Sequence, residues 1–183
     1  ADSIVKLFEV MHAYAKTIMI GDKYDRIACC RFLSSWFAIT DNKAFNPKHD
    51  DLSEKVQILA GKVARKLPVY KFLPNLSQVA SKLCQCDSTT VPILQIILAR
   101  LLEEYPHTAI WKLANFCISV VASRRDKFQF LFKAAQSFTG VQHVWQEYNK
   151  LFPLLIDLCS LQFRNNIMLY LPEIRFCMQF LNN

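Results

Sequence analysis

Seven cysteines and four histidines are the residues of this 183-residue chain best suited to hold a metal or to serve as nucleophile and base. Cys84-Gln85-Cys86 is the closest approach to a ligand pair. A structural zinc site takes four ligands, usually as two close pairs, and no second Cys or His pair lies nearby in the sequence. The two thiols therefore read as ordinary cysteines at a helix end. Cys29 and Cys30 are adjacent on one helix and cannot easily clamp a single tetrahedral ion. The histidines are isolated, and His107, beside Pro106 at a helix start, reads as a structural or capping imidazole. A nucleophile with its base and orienting acid would have to be assembled wholly across space.

Phosphate chemistry finds no better footing. Only 3 glycines are present, and none forms a phosphate-cradling loop. The patterns Gly-x-Gly-x-x-Gly, His-Arg-Asp and Asp-Phe-Gly are all missing, although phosphoryl transfer needs both a phosphate cradle and metal-binding carboxylates. The expectation is a chain with no catalytic, cofactor-binding or metal-binding residue. An enzyme with a dispersed site has the least support.

Charge offers one further possibility for a site. The formal net charge is +7, which suits an acidic partner such as nucleic acid, although a solvated basic surface is the ordinary reading. Arg124, Arg125, Lys127 and Lys133 cluster beside Phe128, Phe130 and Phe132, an arrangement that could stack bases. Yet Phe128, Leu131 and Phe132 equally fit a core stripe. Together with Lys62, Arg65 and Lys66, the residues Arg124, Arg125 and Lys127 define the alternative function: a basic helical-repeat module for nucleic acid or an acidic protein.

The elements that would position these residues are helices. Hydrophobic residues make up 52% of the chain, more than one core needs, so part of that surface would meet other protein. Asp2-Ser3 can cap a helix over Ile4–Ile20, with Ile4, Leu7, Phe8, Met11, Ala15, Ile18 and Met19 at helical spacing. A second runs from Tyr24 to Ile39, with Ile27, Cys30, Leu33 and Phe37 as its stripe and Trp36 beside it. Residues 40–51 read as a loop. A third runs to Lys66, facing inward through Val56, Leu59, Val63 and Leu67. A short piece lies between Pro68 and Pro74, and a helix then runs from Pro74 to Leu83. Others are expected from Pro92 to Tyr105, His107 to Val121 and Arg124 to Phe138, the last capped by Ser123 and stopped by Gly140. Two more, Val141–Phe152 and Leu154–Phe163, are divided by Pro153, and a tail over 167–181 is helical around Pro172.

These are about nine or ten helices with no strand. Helix pairs begin near residues 3, 53, 91 and 124, a spacing that suits an α-solenoid of tetratricopeptide-like or HEAT-like hairpins. Residues 1–183 read as one such segment, with 165–183 as a separate tail. No apolar run reaches the ~20 residues of a membrane span. The odd cysteine count, with most thiols inside apolar runs, argues for reduced, buried thiols in a cytosolic or nuclear protein. Ala1 in place of Met, without a leader pattern, fits a start inside a longer polypeptide.

Three segments, in order, carry a resemblance. They are Gly21-Asp22-Lys23-Tyr24-Asp25 followed by Arg31-Phe32-Leu33-Ser34-Ser35-Trp36-Phe37; Leu67-Pro68-Val69-Tyr70-Lys71-Phe72-Leu73-Pro74, continuing to Gln78, Ala80 and Leu83; and Tyr105-Pro106-His107-Thr108 leading into Ile110-Trp111 and Leu113-Ala114-Asn115. Over about residues 10–120 the chain resembles the C-terminal part of the FAT domain of phosphatidylinositol-3-kinase-related protein kinases. The ataxia-telangiectasia-mutated (Tel1) branch is nearest and the ATR (Mec1) branch second. Arg164 to Asn183 matches nothing in that pattern. The resemblance implies a non-catalytic solenoid in a nuclear, DNA-damage-signalling serine/threonine kinase. Its partners would be the kinase domain and other helical repeats of the same chain, with homodimer contacts; ATP and Mg would bind in that kinase domain. Trp36, Tyr70, Phe72, Gln78 and Trp111 are then packing and helix-positioning residues rather than a site.

Overall fold

Ile4, Met11, Ala15 and Ile18 recur at intervals of three, four and seven residues, and in the computed structural model they lie together on the buried face of one helix. The structure describes residues 2–41, 51–85 and 89–160. Among them are eight α-helices: α1 (Asp2–Ile20), α2 (Asp25–Thr40), α3 (Asp51–Lys66), α4 (Leu76–Gln85), α5 (Val91–Glu104), α6 (Pro106–Leu113), α7 (Ala122–Ala135) and α8 (Thr139–Ser160). Two 3-10 helices, Val69–Asn75 and Ala114–Ile118, complete them, and no strand occurs among the described residues. The all-helical repeat architecture expected from the sequence is the one observed. The expected tail over 167–181 lies outside the described residues, as do Cys86, His49 and Cys177.

α1 and α2 form an antiparallel hairpin across Gly21–Tyr24, and α1 also packs on α3. α5 is the hub: it packs against α3, the first 3-10 helix, α4, α6, α7 and α8. Its sequence explains this. Ile93, Leu94, Ile97, Leu98, Leu101 and Leu102 are all buried, a band too broad for one partner. Each such side chain contributes about 1.5–3 kcal/mol on burial. A single buried cluster runs from Ile4 to Tyr148.

Several local expectations are corrected. In α2 the buried face is Ala28, Cys29, Phe32, Leu33, Trp36, Phe37 and Ile39, whereas Ile27 and Cys30 point to solvent. The helix is rotated so that Trp36, Phe32 and Phe37 bury their larger apolar area. The helix expected over 107–121 ends at Leu113 and tightens into the 3-10 helix. Ile118, Val120 and Val121 are β-branched and poor helix formers, and side chains of α7 collect the freed carbonyls. Gln129 Nε2 donates to the Cys117 carbonyl at 3.2 Å and Arg125 Nη1 to that of Ser119 at 3.2 Å. α7 starts at Ala122, and no side chain caps it. Gly140 falls in the first turn of α8, and Pro153 lies inside that helix rather than dividing it. A proline costs a helix interior about 3 kcal/mol; buried Tyr148 and Leu151 and half-buried Phe152 supply packing that offsets it.

Candidate interaction surfaces

The four C-terminal carbonyls of an α-helix have no partner within the helix and form the negative end of its dipole. In this chain, cations from later in the sequence fill that role. Lys71 Nζ donates to the carbonyls of Ile18 at 3.0 Å and Gly21 at 3.1 Å, at the end of α1. The same ammonium pairs with Asp22 Oδ1 at 2.8 Å and Asp25 Oδ2 at 3.0 Å. Burial alone would lower the Lys71 pKa, but the bonds and charges of Asp22 and Asp25 outweigh it and the net shift is upward. The hydrogen bond and charge of Lys71 in turn lower the pKa of Asp22. Tyr70 extends the group, its hydroxyl donating to Asp22 Oδ1 at 3.4 Å.

Arg100, on α5, does the same for α3. Its Nη1 donates to the carbonyls of Ala64 at 2.8 Å, Arg65 at 3.2 Å and Leu67 at 2.9 Å. Lys127, on α7, donates to the Leu83 carbonyl near the end of α4 at 2.9 Å. Lys82, on α4, pairs with Asp41 at the end of α2 and lies 5.3 Å above the Phe37 ring. None of these roles is visible in the sequence, where each residue is simply one more cation.

The basic residues singled out as a nucleic-acid surface thus divide. Lys62, Arg65 and Lys66 are exposed on α3. Of the second group, Lys127 and Arg125 are tied to backbone carbonyls, and Arg124 stacks over the Phe116 ring at 5.9 Å. Phe128 and Phe132 are buried with Leu131, as a core stripe requires, while Phe130 is exposed. Phe116 stacks on Phe128 at 4.5 Å, so these rings face protein.

An apolar groove of about 410 Å³ opens between the second 3-10 helix, α7 and α8, lined by Cys117, Phe132, Trp145, Tyr148, Phe152 and Pro153 among others. Its aromatic side chains form a chain of contacts: Phe132 to Trp145 at 4.5 Å, Trp145 to Tyr148 at 5.6 Å and Tyr148 to Phe152 at 4.7 Å. Tyr148 donates its hydroxyl to Asn115 Oδ1 at 3.2 Å and meets the edge of Trp111 at 5.0 Å. Trp111 itself is 40% exposed. Trp36, in contrast, is wholly enclosed.

Burial works against thiolate formation at Cys29, Cys84 and Cys117. Burial pushes Cys29 up to about 12 and Cys117 up to about 11, so both are neutral near pH 7. Partial burial also raises Cys84, against the opposing charges of Arg124 and Lys127. Cys29, Cys30, Cys84 and Cys117 are free thiols. No group of three or more His, Cys, Asp or Glu side chains that could hold a metal occurs among the described residues. No described helix is long and apolar enough to cross a membrane.

Comparison with known proteins places this architecture. A family model described as "Serine/threonine-protein kinase ATR-like, HEAT repeats" matches residues 56–155, more than half of the chain. The chain is 28% identical over 159 residues to the serine/threonine-protein kinase ATR of Oryza sativa subsp. indica, covering 82% of this chain and 6% of that protein. It is 27% identical over 156 residues to ATR of Drosophila melanogaster, covering 84% of this chain and 6% of that protein. With the serine/threonine-protein kinase TEL1 of Saccharomyces cerevisiae it shares 26% identity over 120 residues, covering 66% of this chain and 4% of that protein. No solved structure matches. The chain therefore spans about one-sixteenth of the length of the ATR relatives, within a stretch of helical repeats, and it belongs to the HEAT-repeat family of ATR-like serine/threonine protein kinases.

Proposed function

We propose that this chain is a non-catalytic scaffold segment of a large, nuclear, DNA-damage-signalling serine/threonine kinase, and that it braces and regulates the kinase domain. The observation that carries this reading is the match of residues 56–155 to the HEAT repeats of ATR-like kinases, a stretch outside the catalytic domain. Its partners are the kinase domain, which holds ATP and Mg, and neighbouring helical repeats of the same polypeptide, with homodimer contacts. Placement in the C-terminal FAT portion, on the ataxia-telangiectasia-mutated (Tel1) side, rests on the segments Pro68–Pro74 and Pro106–Asn115. Relatives of both names, ATR and TEL1, are among the matches.

The test uses the complete kinase polypeptide with Trp145→Glu or Phe152→Glu in the apolar groove. Phosphorylation of a peptide substrate is measured while the variant retains wild-type helicity. A changed turnover rate supports the bracing role. Unchanged turnover in both folded variants, and in a variant lacking residues 56–155, would overturn it.

A basic module for nucleic acid is the second reading, favoured by exposed Lys62, Arg65 and Lys66 on α3. Anisotropy titration with a labelled DNA duplex decides it. Binding that weakens steeply with salt supports this use, and no binding at low salt removes it.

A further inference from the structure

The cations that close helix ends share a reach. Lys71 spans 53 residues back to Ile18, Lys82 spans 41 to Asp41, Arg100 spans 36 to Ala64 and Lys127 spans 44 to Leu83. Each span is about one helical repeat, which runs to roughly 30–50 residues in such arrays. Four successive helices, α1 to α4, thus have their C-terminal ends held by a side chain from a later element. Lys71 and Lys82 are nearly enclosed, with side-chain exposures of 4% and 5%. Separation of a helix pair returns these cations to water but gives up their directed, charge-assisted bonds, so each contact opposes the opening of one repeat away from the next to the extent that those bonds outweigh the cost of burial.

We propose that these four cations are inter-repeat staples that make the array open as one body instead of repeat by repeat. Helical-repeat proteins are nearly one-dimensional, with stability set by each repeat and by its interface to the next. Without strong interfaces the terminal hairpin frays alone. With Lys71 in place, α1–α2 cannot leave the first 3-10 helix without breaking the bonds of its ammonium to the carbonyls of Ile18 and Gly21 and to the carboxylates of Asp22 and Asp25. Arg100 then ties α3 to the hub helix α5, and Lys127 ties α4 to α7. The device stands whether or not the parent polypeptide is a kinase.

Hydrogen exchange read by mass spectrometry on the folded chain tests it. In the Lys71→Met chain, amides of α1 and α2 should exchange roughly tenfold faster while those of α5 to α8 keep their wild-type rates. In the Arg100→Met chain the accelerated region should extend through α3. Should Lys71→Met fail to fold by circular dichroism, Asp22→Asn, which removes one exposed partner of the same ammonium, should give the same regional pattern with a smaller amplitude. Acceleration by one common factor across every helix would overturn the inference, since the cations would then add only to overall stability. Unchanged exchange in α1 and α2 would overturn it as well.

Discussion

Arg100 Nη1 lies 2.9 Å from the carbonyl oxygen of Leu67, and with Ala64 and Arg65 this makes one guanidinium nitrogen the terminus of an entire helix. The acceptors are backbone groups, partly buried, with no helical donor of their own. The Arg100→Met chain should lose about 1–3 kcal/mol of unfolding free energy, the usual cost of stranding such groups. Urea titration at low and high salt checks it. The loss should persist in high salt, because these contacts are not surface ion pairs. Lys55→Met, which removes an exposed i,i+4 pair with Asp51, should leave the curve unchanged.

Trp36 and Trp111 should behave differently on truncation. Trp36 is fully buried against Phe32 and Phe37, so Trp36→Ala should cost about 3–5 kcal/mol. Trp111→Ala loses an edge contact with Tyr148 and only part of its area from the core, and should cost about 1–2 kcal/mol. Equal costs in chemical denaturation would contradict the burial difference.

Stability should fall in alkali. Cys29 is pushed up to about 12 and Cys117 up to about 11 by burial, from an ordinary value of 9.0, and Tyr148 is raised for the same reason. A group whose pKa is raised on folding keeps its proton after the unfolded chain has lost it. Its contribution is therefore complete below pH 9 and declines as pH climbs towards the folded value, by about 1.4 kcal/mol per pH unit for each group. Lys71, also raised, acts in the same direction at still higher pH. Melting temperatures between pH 8 and 11 should trace this decline, with a shallower slope in Cys29→Ala.

Lys62, Arg65 and Lys66 make no demand on the fold. Replacing all three with Ser should leave stability within about 0.5 kcal/mol per site. If the exposed face of α3 carries DNA, the same triple change should reduce the slope of log K against log salt by about 3.

Where structure depends on apolar spacing, it was legible. Most of the stripe of α1, that of α3 and the core role of Phe128, Leu131 and Phe132 follow from residue type and period, although Met19, expected in the α1 stripe, is 40% exposed. The facing of α2 did not, because Ile27 and Cys30 have the right spacing but less area than the aromatic set that displaces them. The different exposure of Trp36 and Trp111 was not legible either, because residue size predicts average burial, not the position of a neighbour such as Tyr148. The helix-closing cations were invisible for a physical reason. Their acceptors, backbone carbonyls and the carboxylates of Asp22, Asp25 and Asp41, lie dozens of residues away, and only tertiary structure joins the two.

That many of these acceptors are backbone carbonyls has one more consequence. Every amino acid carries a carbonyl, so exchanging the side chain at Ile18, Ala64 or Leu83 deletes no acceptor. For the contacts of Arg100 and Lys127 with these carbonyls only the donor is constrained by type, whereas Lys71 and Lys82 also depend on the carboxylates of Asp22, Asp25 and Asp41. A repeat array held in this way can drift in sequence on the carbonyl side of such a junction while its geometry persists.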